Sequence, residues 1–302
     1  MKKQIFVSVP ASSGNLGPGF DVLGLSLDLR NELRVKVLDI HTGNPVILVE
    51  GEGKDSVSLN RNNVIFKAME FLSKKANKKL PQLELKCLNR IPLARGLGSS
   101  SAAYLSGLLA ANALFGNKYS KEEILSFATE LEGHPDNVSP ALFGGIRVSG
   151  VFLGEVISYS LPIPDLTLVV AVPDFQLATS KARAVLPKMV PLKDAVQNLA
   201  SVGLLSFVFK HDLKFLKLLL NDRLHEPYRA KLIPGFWKVK EAVLKSGAYA
   251  MTLSGAGPTL ISFTPKENAL RVASAMKKTF LKYRVKAQAF PIEIDRKGAV
   301  VR

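Results

Sequence analysis

The segment from Leu83 to Phe115 constrains the fold of this chain more than any other. Leu83, Leu85 and Cys87 alternate with Glu84, Lys86 and Leu88, and Ile91 follows, so the run reads as a strand. Ala102–Phe115 is mostly apolar and reads as a buried helix. Between them lies Pro92-Leu93-Ala94-Arg95-Gly96-Leu97-Gly98-Ser99-Ser100-Ser101-Ala102. A glycine-rich turn feeding a helix presents unpaired backbone N–H groups at the positive end of the helix dipole. That is an anion site, and phosphate is its usual occupant. Gly96 and Gly98 permit close approach of a ligand, and the three serines offer hydroxyls to phosphate oxygens or a metal ion. For this stretch alone, a glycine turn with a serine cap is the competing reading.

The chain has 302 residues, enough for one large domain or two ordinary ones. Hydrophobic residues make up 47%, as in a soluble globular protein. No apolar run reaches the roughly 18 residues of a membrane span, so no membrane partner is expected. Met1-Lys2-Lys3-Gln4-Ile5-Phe6 is basic and then apolar, but Ser8, Pro10, Ser12 and Ser13 interrupt it too early for a signal peptide. Cys87 is the only cysteine, so no internal disulfide forms and a reducing cytoplasm is the expected compartment. Its place in a strand predicts inert packing. The net charge of +16 raises the question of nucleic-acid binding. The basic residues are scattered, however, as in Lys74-Lys75, Lys78-Lys79 and Lys277-Lys278, with no basic stripe interleaved with aromatics. A solvated basic surface that attracts anionic substrates fits better. His41, His211 and His225 show no metal-ligand spacing.

Short strands open the chain at Ile5–Val9, Glu32–Asp39 and Val46–Glu50. Asn63 precedes an amphipathic helix, Val64–Ala76, with Ile65, Met69 and Leu72 on one face. Ser120 and Glu123 make a capping box for a helix over Lys121–Glu132. Gly144-Gly145 ends the next helical piece, and a strand pair follows at Ile146–Phe152 and Glu155–Ser160. Leu161-Pro162-Ile163-Pro164 marks the boundary, giving units over 1–163 and 164–302. Beyond it come a strand at Leu166–Val172 and helices at Thr179–Leu186, Leu192–Lys210 and Lys238–Lys245. Leu192–Lys210 is nearly apolar on three sides and is expected to be buried. Strands at Tyr249–Leu253 and Thr259–Phe263, a helix at Lys266–Phe280 and a strand at Arg284–Ile294 complete an α+β pattern.

Two further segments match the central loop in kind. Pro10-Ala11-Ser12-Ser13-Gly14-Asn15-Leu16-Gly17-Pro18-Gly19-Phe20-Asp21-Val22-Leu23-Gly24 lies early, and Leu253-Ser254-Gly255-Ala256-Gly257-Pro258-Thr259 lies late. In this order, the three resemble the signature motifs of the GHMP small-molecule kinases. The first motif and Glu132-Gly133-His134-Pro135-Asp136-Asn137-Val138 resemble the homoserine kinase branch, and the likeness runs almost end to end. No Walker sequence or protein-kinase signature set is present. The resemblance implies an N-terminal α/β domain, a C-terminal ferredoxin-like domain and an active site between them. It also implies ATP, Mg²⁺ and homoserine as ligands, transfer of phosphate to the homoserine side-chain hydroxyl on the route to threonine, and a homodimer.

Phosphoryl transfer asks a protein mostly for positioning and charge neutralisation. Residues Pro92 to Ala102 are the candidate nucleotide cradle, with Arg95 adding charge. Ser100 and Glu132 are the candidate magnesium ligands. Glu132 ends its helix, where the dipole disfavours negative charge; Glu130 competes for the role, and the family pattern favours Glu132. Asn63 matches an adenine-contacting position, although a plain helix N-cap explains it equally. Arg183 and Arg229 suit a carboxylate clamp, and Thr179 shares a helix face with Arg183. Asp21 suits the ammonium, while Asn15, Asn137 and His134 match substrate-contacting positions. Gly255 and Gly257 of the third motif allow close approach to the phosphate loop; a structural hairpin loop is the competing reading. Two roles are open to Asp136: a base, as the matching residue is in mevalonate kinase, or a support for its own loop. The lysine that assists in that relative has no counterpart among Ser8–Asp21. The catalytic set is thus Glu132, Asp136 and Arg183. The alternatives are a GHMP kinase acting on mevalonate, a sugar or shikimate, and a nucleic-acid-binding module supported by charge alone.

Overall fold

The computed structural model describes residues 4–39 and 43–302, so Met1-Lys2-Lys3 and His41 lie outside the described residues. The strands are β1 (Gln4–Gly14), β2 (Leu23–Val37), β3 (Val46–Gly51), β4 (Leu83–Asn89), β5 (Ile146–Phe152), β6 (Glu155–Leu161), β7 (Thr167–Pro173), β8 (Ala250–Leu253), β9 (Leu260–Thr264), β10 (Ala287–Ile292) and β11 (Val300–Val301). The helices are α1 (Val64–Ala76), α2 (Ser99–Leu114), α3 (Lys121–Glu132), α4 (Pro135–Phe143), α5 (Thr179–Ala184), α6 (Leu192–His211), α7 (Leu216–Leu219), α8 (Glu226–Arg229), α9 (Phe236–Lys245) and α10 (Ala269–Lys282). The fold is α+β, as the sequence pattern implies.

Seven strands form the first sheet, in the order β11-β1-β2-β4-β3, with β5 joining the start of β2 and β6 joining β5. β1 and β2 shift register between Pro10 and Ala11. β1 therefore runs past Val9 to Gly14, carrying the buried Ser12 and Ser13 to the end of the sheet. The cap residues act as their chemistry dictates. Asn63 Oδ1 accepts from the Ile65 N–H at 2.9 Å, and the Ser120–Glu123 capping box is closed. α2 is sheathed by α1, α3 and β1, and twelve of its sixteen residues are buried. It starts at Ser99, so the three serines form its first turn.

The second sheet has the antiparallel order β10-β7-β9-β8. A helical crossover joins β7 to β8 and α10 joins β9 to β10, which is the ferredoxin-like arrangement. β7 is buried on both faces. Leu168, Val170 and Val172 face the main core, while Val169 and Ala171 meet Phe236, Val239, Val272, Met276 and Phe280 of α9 and α10. Two-sided burial explains its unbroken apolar run.

After β10 the chain returns to the first sheet. Ile294 bridges to Leu27, Asp295 pairs with Arg30, and Val300 and Val301 pair with Ser8 and Val7. α6 corrects the expectation of burial. It packs by Asn198, Ser201, Leu205 and Phe209, while Leu192, Val196, Leu199, Leu204 and Phe207 are exposed. The helix lies on the outside, against α7 and the turn at Leu213–Phe215, so one face is covered and the other is not.

Candidate active site

The three motifs meet at the N-terminus of α2. Gly98 precedes this helix in a left-handed conformation, with φ 67°, and no side chain caps the free N–H groups. A Cβ there would lie 2.0 Å from Ser12 Oγ, so glycine is required by both backbone and space. The loop is laced on both sides. Ser12 N–H donates to Leu97 O at 3.2 Å, and Ser254 Oγ donates to Gly96 O at 2.6 Å. The first and third motifs also bond directly: Gly255 N–H to Gly14 O at 3.1 Å, and Asn15 Nδ2 to Gly255 O at 2.8 Å. Four of the eight described non-glycine residues with positive φ, namely Asn15, Leu16, Asp21 and Ala94, fall in these loops. Backbone strain concentrated in this way is typical of functional sites.

A cleft of about 110 Å³ opens beside the loop. It gathers Asn15, Asp21, Glu132, His134, Asp136, Asn137, Thr179, Arg183, Arg229 and Gly255 around Pro92, Ala94, Arg95, Gly96, Leu97, Gly98, Ser99 and Ser100. Ser101 and Ala102 are buried beneath it, and Gly257 turns toward Leu253 and Ile233. Leu93 and Asn63 line an adjacent hollow of about 200 Å³, together with Val57, Cys87, Ser99 and Ala103. There Asn63 acts as a cap: its amide also donates to Ser58 O at 2.7 Å, so both ends of the side chain are engaged. A larger hollow of about 600 Å³, near Arg61, Glu70 and Lys79, shares no residue with the motifs.

The charges in the cleft are arranged in pairs. Arg183 donates to both oxygens of Asp21, at 3.0 and 2.7 Å. His134 Nδ1 lies 2.5 Å from Asp136 Oδ1, and the Asn15 N–H donates to Asp136 Oδ2 at 3.1 Å. Asp136 is buried, and its carboxylate lies where a Cβ on Gly14 would be, which explains the glycine in the first motif. Burial lowers the His134 pKa, but the Asp136 hydrogen bond and the charges of Asp136, Asp21 and Glu132 outweigh it, and the net shift is upward. Arg229 is pushed down to about 10, first by burial and then by Arg183. The Asp21 hydrogen bond raises Arg183.

Glu132 accepts a hydrogen bond from Ser100 Oγ at 3.0 Å, and burial raises its pKa. A hydroxyl and a carboxylate thus converge beside the free N–H groups of α2, and hard oxygen donors of this kind fit magnesium. Glu130 instead pairs with Lys75 on the surface. Asp21, His134 and Asp136 also place ligand atoms within 4.8 Å of one another, but each is already engaged by Arg183 or by its neighbour. Burial pushes the Cys87 thiol up to about 12, consistent with inert packing. Phe20 and Asp222 escaped the sequence reading, and His225 was read only as lacking metal-ligand spacing. An aromatic residue inside a glycine loop, and an acid and a histidine in the loop that leads into a short helix, carry no spacing signal.

Comparison with known proteins gives a consistent picture. Residues 63–145 match the GHMP kinases N terminal domain, and residues 204–282 match the GHMP kinases C terminal domain. The chain is 42% identical to the homoserine kinase of Carboxydothermus hydrogenoformans, with 98% of this chain and 96% of that one covered. It is 40% identical to the homoserine kinase of Moorella thermoacetica, covering 98% and 99%. Among solved structures, the homoserine kinase of Cytophaga hutchinsonii superposes with a TM-score of 0.89 at 30% identity, covering 100% of this chain and 98% of that one. A mevalonate kinase structure, at TM-score 0.72 and 13% identity over 97% and 99%, shares the fold.

Proposed function

The chain belongs to the homoserine kinase family of GHMP kinases, and from that membership we propose that it transfers the terminal phosphoryl group of ATP to the side-chain hydroxyl of L-homoserine. The product is O-phospho-L-homoserine, the form consumed on the way to threonine. One observation carries the reading: a free helix N-terminus, a hydroxyl–carboxylate pair and two guanidiniums line the same cleft.

The loop from Pro92 to Ala102 is the proposed phosphate cradle, its N–H groups directed at the β- and γ-phosphates. The hollow beside Leu93 and Asn63 suits the base. Ser100 and Glu132 would hold magnesium, whose charge offsets that of the transferring phosphoryl group. Arg183 and Arg229 suit the amino-acid carboxylate and Asp21 the ammonium. In the free site Arg183 and Asp21 neutralise each other, so a zwitterion can exchange partners with them and leave no charge unpaired. Asn15, His134, Asn137 and Thr179 complete the acceptor wall, with Gly255 behind and Gly257 supporting the third motif. Asp136 accepts from His134 and from a backbone N–H, which supports a role in holding its loop; a loose transition state asks little of a base.

We assign residues 1–163 and 164–302 to two units, supported by the sheet built on β1–β6 and the sheet β7–β10, with β11 of the second unit returning to the edge of the first sheet. A homodimer completes the proposal. The exposed Leu192, Val196, Leu199 and Phe207 of α6, with Gly203 open among them, suit a second copy of this helix. A cytoplasmic location accords with the single, buried cysteine. A coupled assay with ATP, magnesium and a panel of hydroxylated acceptors tests the reading. Homoserine is expected to be preferred, and Asp21→Ala to damage its use most. Preference for mevalonate, a sugar or shikimate overturns the specificity. Salt-sensitive nucleic-acid binding with no kinase activity overturns the class.

A further inference from the structure

Arg229 is held by residues outside the proposed acceptor wall. It is buried, with Nε donating to Ala182 O and Nη1 to Gly255 O, both at 3.2 Å. The same Nη1 lies 3.4 Å from Nδ1 of His225. A guanidinium has only protons to give, so Nδ1 is the acceptor. Nε2 of the same ring lies 2.8 Å from Gly17 O, which can only accept, so Nε2 carries the proton. Both neighbours demand one neutral tautomer. The ring thus links the glycine turn of the first motif to the deepest cation in the cleft.

The supports of His225 are themselves buried. The Asp222 carboxylate accepts from the N–H groups of Leu224, His225 and Glu226 and from Asn198 Nδ2, fixing the start of α8. Phe20 faces His225 with ring centroids 5.3 Å apart. Its centroid also lies 5.1 Å from the guanidinium carbon of Arg229 and 5.4 Å from that of Arg183. An aromatic face attracts both cations and offsets part of their mutual repulsion.

We propose that His225 and Phe20 are positioning residues that hold Arg229 and Arg183 toward one carboxylate, and so set the preference for an acceptor that carries one. The inference rests on the homoserine reading. It separates two jobs of His225, because glutamine at this position can still reach Gly17 while asparagine offers an oxygen near the place of Nδ1.

The test is steady-state kinetics of His225→Gln, His225→Asn and Phe20→Leu with L-homoserine and with 3-aminopropan-1-ol, which has the hydroxyl and ammonium but no carboxylate. His225→Gln and Phe20→Leu are expected to raise the homoserine KM about tenfold, the scale of one lost hydrogen bond to a charged group. The ATP KM and the kcat/KM for aminopropanol should stay within about twofold, so the preference for homoserine narrows. His225→Asn should recover most of the homoserine KM. An unchanged homoserine KM in His225→Gln, a parallel fall for both acceptors and ATP, or no rescue by asparagine overturns the positioning roles alone. A wild-type protein inactive on homoserine overturns the functional reading and this inference with it.

Discussion

Burial sets the chemistry of Glu132, the proposed magnesium ligand. Burial raises its pKa, so its proton is lost at higher pH than from a free glutamate. Magnesium competes with that proton. The half-saturating magnesium concentration is therefore expected to rise as pH falls, and to begin rising at a higher pH than titration of an ordinary glutamate would give. Glu132→Ala should weaken magnesium by about 10- to 100-fold and remove that pH dependence. Initial rates over a magnesium series at fixed ATP check this; an unchanged titration in the variant refutes the assignment. His134 is also raised, and here the consequence is for stability. Its raised pKa adds stability that is full below about 6.5 and is lost as pH rises through the folded value. The meeting of Glu132 and Ser100 was legible because a helix terminus and a first turn fix their places along the chain. His225 and Phe20 were not, since their value lies in which atoms of distant loops they face.

Helices with side-chain caps were the most legible elements. Asn63 and the Ser120–Glu123 box mark the observed starts of α1 and α3. β1 was cut short because Ser12 and Ser13 look like loop residues, yet both are buried in the sheet, opposite Ser26 and Leu25. The sequence of α6 shows that it is apolar but not which apolar face the fold covers. Its open stripe makes a prediction at this scale. Leu199→Glu with Phe207→Glu should halve the mass measured by sedimentation while leaving the helical signal intact. A monomeric wild type, or a double variant that stays dimeric, removes α6 from the interface.

The paired prolines at Leu161–Pro164 lie between β6 and β7, where the chain passes from the first sheet to the second, although β11 later returns to the first. The return of the chain after β10 was not visible, because a two-residue strand has no pattern to read. The phosphate loop is bonded to the first motif on one side and to the third on the other. Binding there should therefore stabilise the molecule as one body. A non-hydrolysable ATP analogue with magnesium at about 100 times its Kd is expected to add about 2.7 kcal/mol and to shift a single calorimetric transition upward. Two transitions, of which one moves, would contradict this coupling. The position of β11 bears on biosynthesis. Ser8 pairs with Val300, and the Leu142 carbonyl in the last turn of α4 receives the Ala299 N–H. During translation, the earliest strand emerges from the ribosome long before this neighbour exists, so a nascent chain carries an open sheet edge until the second unit has been made. Chaperone dependence in the cell should follow from that delay.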